Sequence, residues 1–192
     1  MSLPAPDDAQ VVSAVLDSIQ DALRDRFWFS RGVAPLPDRP ESWAYVGAHT
    51  SRALAQLRLA RGATSARSPR LLECGSGLGV LAALAREMGF AVTGVEIDPS
   101  YVEMSRRLFP SVSVVEADLL TFDRFAEYDV IQYYGPFVDD AVQARFERRI
   151  EEALRPGGVI LANRKVTDDW RAGPFDLLHT DGLTSFVLQK RS

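Results

Sequence analysis

From residue 70 onward, short apolar runs alternate with helical repeats. "RLLEC" (70–74), "AVTGVEI" (91–97), "VSVVEA" (112–117), "YDVIQYY" (128–134) and "GVILANR" (158–164) read as strands, whereas 78–88, 99–108 and 137–154 place apolar residues at three- and four-residue spacing and read as helices. In 137–154, Val138, Val142, Phe146 and Ile150 share one face, while Arg145, Glu147, Arg148, Arg149, Glu151 and Glu152 fill the rest, as on a solvated face. Pro156 and two glycines then end the helix. Strands that alternate with helices predict an α/β fold with a doubly wound, mostly parallel sheet. Only ten residues, Lys165 to Pro174, follow the fifth strand before "FDLLH", too few for a helical crossover. The usual helix is therefore expected to be absent. "FDLLHTDGLTSFVLQK" then predicts a hairpin about Asp181 and Gly182 whose last strand runs antiparallel to the rest.

Two helical segments precede this pattern. Val11, Val12, Val15, Leu16, Ile19 and Leu23 recur at helical spacing after Asp7 and Asp8, and "SWAYVGAHTSRALAQLRLARG" predicts a second helix that ends near Gly62. Gly32, Pro35, Pro37 and Pro40 break the chain between them. Residues 1–67 thus read as an N-terminal helical cover or lid, part of the same domain as the sheet-forming residues 68–192.

Composition narrows the function classes. Of 192 residues, 46% are hydrophobic and 25% charged, as in one globular domain. Basic residues number 8 against 7 acidic in 1–69 and 14 against 19 in 70–192, so neither part suits general nucleic-acid binding. The one cysteine, Cys74, excludes an intrachain disulfide, and no membrane-length apolar run or secretory signal is visible; these features point to the cytoplasm. No Cys/His/carboxylate cluster has metal-ligand spacing, and Cys74 reads as a small packed residue.

The chemistry gathers at "RLLECGSGLGVLAAL". Each ordered glycine costs roughly 0.5–1 kcal/mol relative to alanine, so Gly75, Gly77 and Gly79 together point to close approach by a ligand. A P-loop needs a Gly-Lys pair, which the chain lacks. A dinucleotide fingerprint is met by Gly77, Gly79 and Ala82, with Glu96 downstream, but Glu73 just ahead of the glycines would repel a pyrophosphate and suits a cationic ligand.

"LLECGSGLGVLA" resembles motif I, E/D-x-G-x-G-x-G, of the class I S-adenosylmethionine-dependent methyltransferases, and "VTGVEIDP", "VEADLLTF", "YDVIQYYGPF" and "LRPGGVIL" resemble the later motifs of that superfamily in order. The resemblance spans about residues 68–164 and implies a Rossmann-like fold, S-adenosylmethionine as cofactor and methyl transfer as the reaction. It places Gly75, Gly77 and Gly79 against the methionine portion, Glu73 near the ammonium, Glu96 on both ribose hydroxyls with Ile97 beside it, Asp118 on the adenine amino group, Leu119 by the ring and Gln132 at the cofactor.

At the acceptor side, "YYGPF" stands where amino-methylating relatives carry N/D-P-P-Y/F; the leading Asn or Asp is missing, which argues against nucleobase or glutamine amide methylation. Tyr134 is the candidate to orient an acceptor, and simple packing of Tyr133 and Tyr134 is the alternative. The short ending with a tryptophan loop loosely resembles the seven-strand-type protein-lysine methyltransferases. The expected reaction is thus methyl transfer to a small molecule or a protein side chain. A second class is an NAD(P)-dependent oxidoreductase or a non-catalytic nucleotide-binding domain on the same architecture.

Overall fold

The structure, a computed structural model, describes residue 18 and residues 50–192. The helix expected after Asp7 and Asp8, the Pro-rich break, and Trp43, Tyr45 and His49 lie outside the described residues apart from Ser18, which is helical and exposed. Strands β1 (Arg70–Cys74), β2 (Ala91–Glu96), β3 (Ser113–Glu116), β4 (Val130–Tyr134), β5 (Val159–Asn163), β6 (Phe175–Thr180) and β7 (Phe186–Lys190) form one sheet in the order β3-β2-β1-β4-β5-β7-β6. The first five are parallel, and β7 runs antiparallel between β5 and β6. Chain order reverses between β1 and β4, so ligand-binding loops are expected beyond the carboxyl ends of these two strands.

Helices α1 (Thr50–Ala63), α2 (Val80–Glu87) and α3 (Pro99–Leu108) cover one face of the sheet, and α4 (Asp140–Ala153) covers the other. Leu57 and Ala60 of α1 and Ala85 of α2 pack with Leu71, Val130, Val159, Leu161 and Val187. Their fully buried side chains make α1 part of the core. Leu72, Cys74, Ile131, Tyr133, Ile160 and Ala162 point the other way, onto Phe146 and Ile150 of α4. Cover on both faces explains why these strands are continuously apolar rather than alternating. On the α4 side, 3-10 turns at Phe125–Glu127 and Asp169–Arg171 occupy the places of fuller helices, with Phe125 and Trp170 buried. The helix expected to be missing after β5 is thus reduced to the turn that carries Trp170.

Two expectations for α4 need correction. The Asp139 carboxylate accepts from Ala141 N at 2.8 Å and Val142 N at 2.9 Å, so the helix starts at Asp140 and Val138 lies outside it, 39% exposed. Glu147, read as part of a solvated face, is fully buried, in a stripe with Gln143, Phe146 and Ile150. Its carboxylate accepts from Lys165 Nζ (3.2 Å), Thr167 N (2.9 Å), Thr167 Oγ1 (2.8 Å) and Gln143 Nε2 (2.9 Å). Lys165 Nζ also donates to Glu151 (2.5 Å) and Thr167 Oγ1 (2.6 Å). A buried charge needs such partners, and apart from Gln143 one turn earlier on α4 these come from the loop after β5, which helical periodicity does not register.

Removing one partner of a buried pair leaves the other charge uncompensated, so Lys165→Met should cost about 3–5 kcal/mol in urea unfolding monitored by circular dichroism. A loss below about 1 kcal/mol would show that the network adds little to stability.

Candidate active site

The turn after β1 is built on left-handed backbone. Gly75, Gly77 and Gly79 have φ of 74°, 51° and 77°, a region that side-chain-bearing residues avoid. The close approach inferred from the sequence has a different source at Gly79: a β-carbon there would overlap the Ser105 hydroxyl of α3, so this glycine serves helix packing. Ser76 has a similar effect on Gly94 of β2, where a β-carbon would lie 2.7 Å from Ser76 Oγ. The turn is thereby folded down onto β2.

Glu96, at the end of β2, ties this turn to the next loop. Its Oε2 accepts from Gly77 N at 2.8 Å, and its Oε1 accepts from Ile97 N at 2.8 Å and Asp98 N at 3.0 Å. A carboxylate offers about four lone-pair positions, so with these three amides in place one remains open. Burial pushes its carboxyl up, and the three amides oppose that shift. Asp118 is half-buried beyond β3 and accepts from Leu120 N at 2.8 Å; Leu119 beside it is buried.

Glu73 and Gln132 sit side by side on β1 and β4, and both are buried. Among the described residues, Glu73 Oε2, Gln132 Oε1 and Ser76 Oγ have no hydrogen-bond partner. Three such atoms at one switch point mark a polar cradle, because orphaned buried acceptors are costly and rare. Burial pushes the Glu73 carboxyl up to about 8; the Ala82 amide opposes this and nearby Glu96 adds to it. Glu73 is therefore mostly uncharged at neutral pH in the free protein, and the repulsion of a pyrophosphate expected from it is correspondingly weak. Burial also pushes the Cys74 thiol up, consistent with a packed, unreactive residue.

The loops after β4 and β5 interlock at the same edge. Gly135 has φ 40° and Arg164 has φ 56°; Arg164 is the non-glycine residue with left-handed backbone among the described residues. The Arg164 stem lies 2.8 Å from where a Gly135 β-carbon would be, and its guanidinium donates to Phe137 O at 2.6 Å. From the other side, Phe137 N donates to Gln143 Oε1 at 3.2 Å. Tyr134, half-buried, opens this braced loop, while Tyr133 is packed edge-on against Phe146 at 5.5 Å. Arg164 and Glu147 escaped the sequence reading because their roles depend on contacts across the chain. At the same edge, Arg52 of α1 donates to Ser185 Oγ at 3.1 Å, and Gln56 and Asn163 exchange two amide bonds of 3.1 and 3.0 Å.

No helix among the described residues is long and apolar enough to cross a membrane, and no group of three or more possible metal ligands occurs among them.

A buried acid with a raised value stabilises the fold while protonated, and that contribution is lost as pH rises from the ordinary carboxyl value, near 4.5, towards 8. Relative to Glu73→Gln, the ligand-free protein should lose about 3–4 kcal/mol between pH 5 and pH 8 in urea unfolding. A constant difference across that range would show that Glu73 titrates normally.

Residues 71–158 match the family model for a methyltransferase domain. An RNA methyltransferase from Salinibacter ruber, solved with S-adenosyl-L-homocysteine, is 22% identical with a TM-score of 0.59, over 77% of this chain and 95% of that one. A ribosomal protein L11 methylase from Lactobacillus delbrueckii subsp. bulgaricus is 14% identical with a TM-score of 0.57, over 77% and 81%. CalS10, an amino pentose methyltransferase from Micromonospora echinaspora solved with its methyl donor, is 20% identical with a TM-score of 0.52, over 88% and 69%. At these identities the likeness is one of fold. No curated protein matches the chain by sequence.

Proposed function

We infer that this chain, a member of the class I S-adenosylmethionine-dependent methyltransferase superfamily, methylates a small molecule or a protein side chain. The observation that carries the cofactor site is Glu73 Oε2, a buried carboxyl oxygen without a partner among the described residues, beside a left-handed glycine turn. S-adenosylmethionine supplies a methyl group on a sulfonium centre, open to in-line displacement, and a cationic ammonium. Glu73 and Gln132 would hold the ammonium end, with the backbone of Gly75 and Gly77 along the methionine portion and Gly79 keeping the turn against α3. Glu96 would accept one ribose hydroxyl, with Ile97 beside it, and Asp118 and Leu119 would meet the adenine.

On the acceptor side we assign Tyr134 to orient the substrate, on the loop that Arg164 and Gln143 brace from either side. Braced positioning fits a displacement in which the leaving group departs neutral and no dedicated base is needed. Helix α1 begins at this carboxyl edge, where Arg52 meets Ser185, and we assign the N-terminal residues that precede it in sequence, Trp43 and Tyr45 among them, as the cover over the acceptor. The net charge of −4 favours an individually recognised acceptor over one gathered by a basic surface, and the single cysteine suits a cytoplasmic setting.

Isothermal titration should show binding of S-adenosylhomocysteine and none of NAD or NADP; binding of a nicotinamide dinucleotide alone would replace this reading with the oxidoreductase one. Hydrogen bonds to a charged group contribute about 1.5–3 kcal/mol, so Glu96→Gln should weaken S-adenosylhomocysteine roughly ten- to a hundredfold in a folded protein. An unchanged dissociation constant would remove Glu96 from the site.

A further inference from the structure

We propose that the cradle at the end of β1 exchanges a proton for its cationic ligand: Glu73 is a carboxylic acid in the free protein and a carboxylate beneath a bound ammonium. The inference rests on the cofactor reading above and adds an obligatory partner to binding, a proton released to solvent.

The geometry supplies the reason. Glu73 is 6% exposed, its Oε2 has no partner among the described residues, and its neighbour across β4 is Gln132, whose own Oε1 is likewise unpartnered. From β2 the facing ionisable group is another buried acid, Glu96, which brings negative rather than positive charge. From α2 comes only the Ala82 amide; Arg86, the one cation on that helix, is exposed and paired with Glu87 at 2.7 Å. The turn contributes the neutral Ser76 hydroxyl, and Cys74, next along β1, is a buried thiol. Asp98, beyond Glu96, is engaged by Ser100 at the start of α3. Among the described residues no cation reaches Glu73 to hold it ionised, so burial favours the neutral acid. A ligand ammonium reverses that balance: the O–H bond of Glu73 breaks, the proton passes to buffer, and the carboxylate formed accepts from the ammonium N–H. The atoms and charges balance as one acid plus one cation giving one ion pair plus one hydrated proton.

The test is calorimetric and needs no methyl acceptor. S-adenosylhomocysteine, which carries the same ammonium, is titrated into the full chain at pH 7.0 in phosphate, HEPES and Tris, whose ionisation enthalpies differ. The slope of observed enthalpy against buffer ionisation enthalpy counts protons. The wild type should release close to one per ligand at pH 7.0, and its dissociation constant should fall about tenfold per pH unit from pH 6 towards 8, then level off. Glu73→Gln, which keeps the shape but carries no proton, should bind more weakly with no buffer dependence and a flat pH profile. The same enthalpy in all three buffers, or release that persists in Glu73→Gln, overturns the proposal. If that variant fails to fold, the wild-type buffer series and pH profile decide alone. S-adenosylhomocysteine that binds at no pH removes the cofactor reading, and this inference with it.

Discussion

The carboxylate of Glu96 joins two loops that no strand pairing connects. By accepting from Gly77 on one side and from Ile97 and Asp98 on the other, it sets the distance between the turns after β1 and β2. The left-handed glycines depend on it, since such backbone persists only where surrounding bonds over-determine it. Ser76 seated over Gly94 and Ser105 against Gly79 then lock the turn to β2 and α3. A ligand arriving at this edge meets a surface already shaped, so little ordering remains to be done on binding.

The protein holds two buried carboxyl groups by opposite means. Glu147 is satisfied within the chain, by a lysine, a hydroxyl and backbone amides, and this network braces the loops after β4 and β5. Glu73 is left with an oxygen unpartnered. The first arrangement contributes to a rigid scaffold; the second leaves polar capacity unused among the described residues, as the proposed cofactor site requires. Both sit near the carboxyl edge, on opposite faces of the sheet, so rigidity and unsatisfied polarity are separated by the strands themselves.

Much of this was legible in the residues. The strands appear as apolar runs because parallel strands covered on both faces have no polar side to show, and α3 is marked by Asp98 and Pro99 as cap and first residue. The absent helix after β5 followed from chain length alone. Glu147 escaped because a charged residue at helical spacing has the same pattern whether it faces water or a distant lysine. Arg164 escaped because left-handed backbone at a non-glycine residue leaves no compositional trace. Gly79 was legible as a constraint but not in its cause, since the partner that fills its missing side chain, Ser105, lies a helix away.

The C-terminal hairpin has its own consequence. The thin cover beyond β5 leaves Leu177 and Leu178 of the edge strand β6 44% and 39% exposed, with Leu183 at the loop beyond them 79% exposed. An apolar edge of this kind could template the addition of a foreign strand and so begin aggregation. The pairing of β6 with β7 shifts register between Leu177 and His179, at those same leucines. Such a bulge twists the outer row of amides and carbonyls of β6 out of line, which makes this edge a poorer template for an added strand than a straight one of the same composition.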